Sequence, residues 1–132
     1  MTAKTTIQKE FVTPLENKPG TIAEVASALA KANVNIVGYL LEGQGDFGIF
    51  RFATSDAAKT EEWLKSTRRA YRVNEIVTVP VKDAPGELAR VATTLSASGI
   101  NITASYPTTT AGGIAISFAV DDIHAAKKAL GS

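Results

Sequence analysis

The sequence predicts an α+β protein of two ferredoxin-like βαββαβ units in tandem, each an antiparallel sheet with both helices on one face. Three observations lead to this prediction. Short motifs recur at a spacing of 66 residues, the difference between positions 19 and 85. Within each copy, hydrophobic periods of about two and about 3.6 residues follow one another in the order strand, helix, strand, strand, helix. A chain of 132 residues has room for two small units of this kind.

One ungapped offset aligns the two copies. It pairs Pro19-Gly20 with Pro85-Gly86, and Asn35-Ile36 with Asn101-Ile102. Self-similarity at a fixed spacing indicates a duplicated structural unit, and we place the two units at residues 1–75 and 76–132. Because Ser132 aligns with Ser66, the second unit lacks its own last strand in this sequence.

Each copy opens with a strand, a turn and a helix. Apolar and polar positions alternate in the first strand, which predicts a half-buried strand; the inward positions are Ile7, Phe11, Thr13 and Leu15, and Val73, Val77, Val79 and Val81. After each Pro-Gly turn, spacings of three and four predict a helical apolar stripe, formed by Ile22, Val25, Ala26 and Leu29, and by Leu88, Val91, Ala92 and Leu95. Asn33 and Gly99 readily take the left-handed conformation that ends a helix.

The remaining elements follow from turn and cap signals. GQGD and TTAGG predict hairpin turns between the second and third strands. Ser55 or Asp121 is predicted to cap the second helix of its copy. Residues 71–81 must serve as the fourth strand of copy one and the entry strand of copy two. We expect the open edge of the second sheet to be covered by a partner chain or by this shared segment.

The stretch DFGIFRF, residues 46–52, fits three classes of protein. Kinases bind magnesium through Asp-Phe-Gly, but the sequence has neither GxGxxG nor His-Arg-Asp, so this class is excluded. Strand alternation places Phe50 and Phe52 in the core and Phe47 and Ile49 on the open face. In copy two the core set is Ile114, Ile116 and Phe118. An RNA-binding sheet would need more aromatic and basic residues on the open face, and it would require salt-dependent binding.

Composition narrows the function further. The 14 basic and 13 acidic residues give a net charge of +1, so no nucleic-acid partner is predicted. The chain has no cysteine, which leaves no disulfide or thiolate metal site, and we predict no cofactor. No signal-like start and no stretch of roughly 20 apolar residues is present, so we predict a cytoplasmic protein without a membrane partner.

No catalytic constellation is found in the sequence. His124 is the only histidine and lies on a predicted helix among alanines and lysines. Thr108, Thr109 and Thr110 fall in a predicted hairpin turn without a neighbouring base to activate them. The sequence therefore predicts a protein that is not an enzyme.

The turn at Pro19-Gly20-Thr21 carries the main functional prediction. A strand end, a glycine and a helix start place backbone N–H groups at the positive end of a helix. The glycine lets a ligand approach the backbone closely. The loop is short and lacks the lysine of a nucleotide P-loop, which favours a small carboxylate over a triphosphate.

The segments ENKPGTIAEVASALAKANVNIVG and KDAPGELARVATTLSASGINITA, the first followed by DFGIFRF, resemble the ACT domain family over roughly residues 7–130. The family's pattern has an Asn-x-Pro-Gly turn, a helix and then Gly-Val-Asn-Ile. The resemblance implies small regulatory modules that bind amino acids and pair their sheets side by side. It is especially similar to tandem-ACT proteins without an enzyme domain.

The resemblance also implies specific ligand contacts. In the family, the turn Asn and the second-strand Asn contact the amino acid, often with one from each of two adjacent units. The matching positions are Asn17 and Asn35 in copy one, and Asp83 and Asn101 in copy two. An ionised Asp83 can only accept hydrogen bonds, so the two sites should differ. The full predicted ligand-binding set is Asn17, Pro19, Gly20, Thr21, Ile22, Asn35, Ile36, Asp83, Gly86, Glu87, Leu88 and Asn101.

The expected function is therefore a non-catalytic regulatory protein that binds a free amino acid at its strand-to-helix turns and unit interfaces. We expect it to form a homodimer and to act on a regulated enzyme or transporter. Two alternatives stay open: a structural or oligomerisation module without a ligand, and an RNA-binding ferredoxin-like protein. Under the structural alternative, Pro-Gly is ordinary turn chemistry, and Asn35 and Asn101 satisfy backbone groups after a helix end.

Overall fold

The computed structural model describes residues 4–131. Its elements follow the predicted βαββαβ-type order through the first copy and then continue into the second. In chain order they are β1 (Thr6–Glu16), α1 (Thr21–Lys31), β2 (Ile36–Gln44), β3 (Phe47–Thr54), α2 (Ala57–Ser66), β4 (Arg72–Pro80), α3 (Glu87–Ala97), β5 (Ile102–Thr110), β6 (Gly113–Val120) and α4 (Ile123–Leu130). Within the described residues, no helix has both the length and the apolar character needed to span a bilayer.

The chain divides into two compact units. One comprises Lys9–Asn74, and the other comprises residues 75–131 together with residues 4–8. In the latter unit, the Gln8 side chain donates a hydrogen bond from Nε2 to Thr78 Oγ1 on β4 (2.6 Å). The N-terminal part of β1 thus lies beside β4. The sequence analysis had expected this open edge of the second sheet to be covered by a partner chain or by residues 71–81.

In the unit formed by Lys9–Asn74, β3 is the central strand. It pairs antiparallel with β1, from Phe11↔Phe52 to Glu16↔Phe47, and with β2 in a hairpin. The core beneath the helices consists of Phe11, Leu15, Val25, Leu29, Val34, Phe50, Phe52 and Leu64. Phe50 and Phe52 are fully buried, whereas Phe47 is 59% and Ile49 46% exposed, which confirms the predicted faces of DFGIFRF.

In the other unit, β6 is the central strand and pairs with β4 and β5. Its core consists of Val77, Val79, Val91, Leu95, Ile100, Phe118 and Ala126. The face prediction is correct for Phe118 but wrong for Ile114, which is exposed. Ser117, on the other face of β6 from Phe118, is also buried, and its hydroxyl is hydrogen-bonded to those of Thr78 (2.8 Å) and Thr108 (2.6 Å).

The centres of β1 and β4 are buried on both faces, at residues 10–13 and 76–79. The prediction of half-buried strands is therefore wrong for these segments. On the polar face of β1, the buried Glu10 carboxylate is hydrogen-bonded by side chains of the same unit. Glu10 Oε1 accepts hydrogen bonds from Arg51 Nη1 and from Asn74 Nδ2, each at 3.0 Å. A buried carboxylate requires such partners, and alternation alone does not reveal them.

The first helix of each copy ends as predicted. Asn33 has φ 61° and Gly99 has φ 71°, both in the left-handed region. In copy one, the Val34 N–H donates to the Leu29 carbonyl (2.9 Å), and copy two repeats this bond between Ile100 and Leu95 (3.0 Å). Together with the bond from the left-handed residue, this is a Schellman motif, and it sets the start of the second strand.

The second helices begin one residue later than predicted. Asp56 and Asp122 are the N-caps, and their carboxylates accept from the backbone N–H of Lys59 and Ala125, each at 3.0 Å. Both copies carry two adjacent residues able to cap. Ser55 and Asp121 form other hydrogen bonds, to the backbone of Asn35 and Asn101, and this leaves capping to the next residue.

Candidate functional site

The two Pro-Gly turns share one backbone geometry. Gly20 has φ 93° and Gly86 has φ 90°, a conformation that side chains disfavour. The helices α1 and α3 start directly after these glycines and have no side-chain cap, whereas α2 and α4 are capped by aspartate. The N–H groups in the first turns of α1 and α3 therefore form the positive end of each helix dipole and are not bonded by an Asp, Ser or Thr cap.

The first turn is tied to the β2–β3 hairpin by Asn17. Its backbone N–H donates to the Asp46 carbonyl (2.8 Å), and its side-chain Nδ2 donates to the Gly45 carbonyl (2.9 Å). The amide also lies against Gly43, where an added Cβ would stand 2.6 Å from Asn17 Oδ1. The Asn17 amide thus has a structural role in holding the turn, and Gly43 leaves the space for it.

Thr21 and Ile22 complete the first turn. The Thr21 hydroxyl donates to the Glu16 carbonyl (3.0 Å), which closes the turn on itself. Ile22 is half-buried and packs against the core of its unit. Pro19 and Gly20 are exposed, so the backbone of the turn is accessible to a small ligand.

The second turn is held by a carboxylate. Glu87 Oε1 accepts from the Lys82 backbone N–H (3.0 Å), and Glu87 Oε2 accepts from Arg90 Nε (2.7 Å). The Lys82 N–H bond, followed by the Arg90 bond, holds the pKa of Glu87 below its ordinary value. Asp83 and Gly86 are exposed beside it, and Leu88 points outward with 55% of its surface exposed.

Asn35 and Asn101, which directly precede β2 and β5, have fixed backbones and open side chains. The Asn35 N–H donates to Ser55 Oγ (2.9 Å), and the Asn101 N–H donates to Asp121 Oδ1 (3.0 Å). Across residues 4–131, no hydrogen bond to the side-chain amide of either asparagine is found, and both residues are exposed. The structural alternative requires these amides to bond to backbone groups after the helix end. They form no such bonds within the described residues. Ile36, next to Asn35, packs against the core.

Within one unit, the turn and the second-strand asparagine lie at opposite ends of a helix. The helix α1 has 11 residues, which corresponds to about 16 Å. The same separation holds between Gly86 and Asn101, at the two ends of α3. A single amino acid is too short to contact both ends. The predicted residues thus form separate clusters in each unit.

Within residues 4–131, the other candidate chemical groups do not assemble into a site. His124 is exposed on α4, and Thr108 is a buried strand residue of β5, so the predicted hairpin turn at residues 108–110 is wrong. Among the described residues, no group of three or more His, Asp or Glu side chains is placed to bind a metal ion. The sequence analysis assigned Ser55 and Asp121, which the 66-residue offset pairs, to helix capping and not to the backbone of Asn35 and Asn101, and it did not single out Gly43.

The repeated turn, helix and asparagine-led strand define a pair of small α+β modules with the same plan. A family model described as an ACT domain pair matches residues 5–130. The chain belongs to the ACT domain pair family, as its two motifs had suggested. The search of curated proteins gave no match.

Solved structures of the same fold are similar over nearly the whole chain. Protein BT0572 from Bacteroides thetaiotaomicron matches with a TM-score of 0.83 and 29% identity, covering 97% of this chain and 89% of that one. The ligand-free regulatory subunit of aspartate kinase from Thermus thermophilus matches with a TM-score of 0.67 and 17% identity, covering 97% of this chain and 93% of that one. At 17% identity, this similarity establishes the shared fold.

Proposed function

We propose that this protein is a non-catalytic regulatory module that binds a free amino acid. The backbone N–H groups that follow Gly20 bind the ligand's carboxylate, and a second-strand asparagine contacts its polar groups. The observation that carries this proposal is the contrast in capping. The two helices that follow Pro-Gly turns lack a side-chain cap, whereas the other two are capped by aspartate. An external carboxylate fits the uncapped end.

The open amides of Asn35 and Asn101 supply the second half of the site. An amide both donates and accepts, so it is able to bond to a carboxylate or to an ammonium group. Since one helix length separates the turn from the asparagine within a unit, the ligand is contacted by residues of two units. In the proposal, the second unit belongs to a second copy of the chain.

The regulatory part of the proposal is a population shift. Ligand bound between two units stabilises one relative placement of them, and a partner enzyme or transporter responds to that placement. The similarity in fold to a regulatory subunit of aspartate kinase supports this type of role. We place the protein in the cytoplasm as a homodimer.

Calorimetric titration with each of the twenty amino acids tests the proposal. At least one is expected to give a saturable heat at millimolar concentration or below. For that amino acid, at least one of Asn35→Ala and Asn101→Ala is expected to weaken binding roughly tenfold, the effect of losing about one good hydrogen bond. The matched control is Asn33→Gly, which introduces the residue that copy two has at this position and preserves the left-handed helix end.

Two results would contradict the amino-acid-binding proposal. One is the absence of heat with all twenty amino acids at millimolar concentration. The other is a pair of variants, Asn35→Ala and Asn101→Ala, that both bind as tightly as the Asn33→Gly control, because neither amide would then have a part in the site.

An oligomerisation module is the second candidate, and the exposed apolar side chains of β2 and β3 favour it. Phe47 is the most exposed of those on the open face, where Ile49 and Leu40, which lies opposite Arg51, are also exposed. Phe47→Asp is expected to shift the protein toward monomer in light scattering after size exclusion. Ala58→Asp, on the exposed side of α2, controls for added charge. Equal masses for both variants would rule out this face as the dimer contact.

A further inference from the structure

The β2–β3 hairpin exposes large apolar side chains that its place in the fold does not require. Phe47 and Ile49 lie on the open face of β3, and 59% and 46% of their surfaces are exposed. The 66-residue offset pairs them with Gly113 and Ala115. Because copy two forms the same strand with small residues at these positions, the hairpin does not need large ones. Contiguous exposed apolar surface is typical of contact with another molecule.

These apolar side chains line a groove. A cavity of about 360 Å³ is lined by Glu42, Gln44, Phe47, Gly48 and Ile49, and we call it the hairpin groove. In the β2–β3 register Gln44 lies opposite Phe47, and Glu42 lies opposite Ile49, so these four side chains share the open face. The volume is at the lower end of the range of about 300–1,000 Å³ for ligand pockets, which suits one large side chain of a partner.

The hairpin groove carries negative charge without an intramolecular partner. Residues 36–50 include the acidic residues Glu42 and Asp46 and neither lysine nor arginine. Within the described part of the chain, neither carboxylate forms an ion pair or a hydrogen bond. Arg51, the next open-face residue of β3, does not neutralise them, because its guanidinium pairs with Glu10 (3.0 Å).

The acidic character is specific to copy one, as the apolar side chains are. The 66-residue offset pairs Glu42 with Thr108 and Asp46 with Gly112, and residues 102–120 contain no charged residue at all. The apolar and the acidic differences between the copies thus occur together, at the same end of one hairpin. A surface that combines exposed apolar side chains with unpaired carboxylates is complementary to a segment that is both apolar and cationic.

We propose that the hairpin groove is a docking site for a partner protein that inserts a large apolar side chain flanked by lysine or arginine. The apolar side chain packs against Phe47 and Ile49, and the flanking cations pair with Glu42 and Asp46. The inference goes beyond amino-acid binding, since its occupant is a protein segment and its test needs no amino acid.

The sign of the charge favours this partner over other occupants. The second candidate function places a second copy of the chain on this face. In a two-fold contact both copies present the same surface, so the carboxylates of Glu42 and Asp46 from both copies meet without a cation between them. An anionic lipid surface or a nucleic acid is repelled in the same way. A cationic, apolar segment satisfies both the carboxylates and the apolar wall.

Amide NMR on the full chain tests the site with a synthetic probe. The probe is the peptide KLKFKL with acetylated and amidated ends, and the comparison peptides are ELEFEL and KSKSKS. KLKFKL is expected to shift the amides of residues 42–49 most strongly, with a Kd that rises with the sodium chloride concentration. ELEFEL lacks the cations and KSKSKS lacks the apolar side chains, so neither is expected to produce these shifts at the same concentration.

Variants of the groove separate its apolar and acidic parts. Phe47→Ala is expected to weaken KLKFKL binding at least about tenfold, because it removes the apolar wall. The double variant Glu42→Gln, Asp46→Asn is expected to weaken binding about three- to tenfold and to reduce its salt dependence. The matched control is Glu62→Gln, Glu75→Gln, which removes two exposed carboxylates outside the hairpin and is expected to change binding less than about twofold.

Three results would overturn the proposal. The first is that KLKFKL produces its strongest shifts outside residues 42–49. The second is that ELEFEL or KSKSKS binds there as tightly as KLKFKL, because charge or apolar contact would then have no part in recognition. The third is that the variant without Glu42 and Asp46 binds KLKFKL as tightly as its control.

A second copy of the chain in the groove is detected without peptide. Amides of residues 42–49 that shift with protein concentration, together with a lower mass for Phe47→Asp in light scattering, would place a second copy there and overturn the proposal. Amino-acid binding is a separate result. If no amino acid binds but KLKFKL binds as expected, the proposed function fails and the docking site stands.

Discussion

Replacing Phe52 with alanine is expected to lower the free energy of unfolding by about 3–5 kcal/mol. Phe52 is fully buried at the centre of β3. Its ring stacks on Phe50 with centroids 4.6 Å apart and meets Phe11 at 5.8 Å. Truncation removes the buried surface of the ring. It also leaves a cavity, because the large aromatic neighbours relax only partly into it. Urea denaturation followed by circular dichroism measures the loss.

The matched control is Phe47→Ala, which changes the same residue type on the same strand. Phe47 is 59% exposed, so this truncation is expected to change the free energy of unfolding by no more than about 0.5 kcal/mol. Both variants are compared at a concentration that gives them one oligomeric state. Equal losses would mean that the two faces of β3 are not distinguished as described, and the assignment of DFGIFRF to a core strand would fail.

The repeat allowed most of the fold to be predicted, because it tests each assignment twice. Asn33 alone is a weak signal for a helix end, but Gly99 at the same position shares only one property with it, the ease of adopting positive φ. The structure places both residues in that conformation. Similarly, the faces of β3 were assigned by comparison with β6, and the assignment is correct for Phe50, Phe52 and Phe118.

The helix caps show where local sequence stops being sufficient. Ser55-Asp56 and Asp121-Asp122 each offer two residues able to cap. The choice between them depends on a distant group, since the first residue of each pair bonds to the backbone N–H of Asn35 or Asn101. That contact spans 20 residues along the chain, and nothing in the local pattern indicates it.

The sequence predicts where the candidate site lies but not what each of its side chains contacts. The glycine turns are where the motifs placed them, and the exposed asparagines lie one residue before the strands that had been predicted to contain them. Asn17 was expected to contact a ligand, yet its amide bonds to Gly45 and packs on Gly43. Glu87 was included only as a turn residue, and its carboxylate proves to hold the turn. Both roles depend on how close the hairpin and the helix start approach the turn, which only three-dimensional geometry reveals.

A second large effect on the free energy of unfolding is expected at Glu10. Strand alternation alone would have placed this side chain on the solvent-exposed face of β1. Its side chain is fully buried, and it accepts from Arg51 and Asn74. Glu10→Met is expected to cost about 3 kcal/mol, because the Arg51 guanidinium, 20% exposed, loses its carboxylate. Glu16→Ala is the control, since its ion pair with Lys18 is exposed and contributes at most about 1 kcal/mol.

The double variant Glu10→Met, Arg51→Met decides whether the pair is needed for stability or only costly to break. Burying two charges has a large desolvation cost, so two apolar side chains of similar length are often tolerated in place of an ion pair. We expect the double variant to unfold within about 1 kcal/mol of the wild type, while each single variant loses about 3 kcal/mol or more. A double-mutant cycle in urea measures the coupling. Losses that simply add would contradict this expectation and would show that Glu10 and Arg51 stabilise the unit through separate contacts.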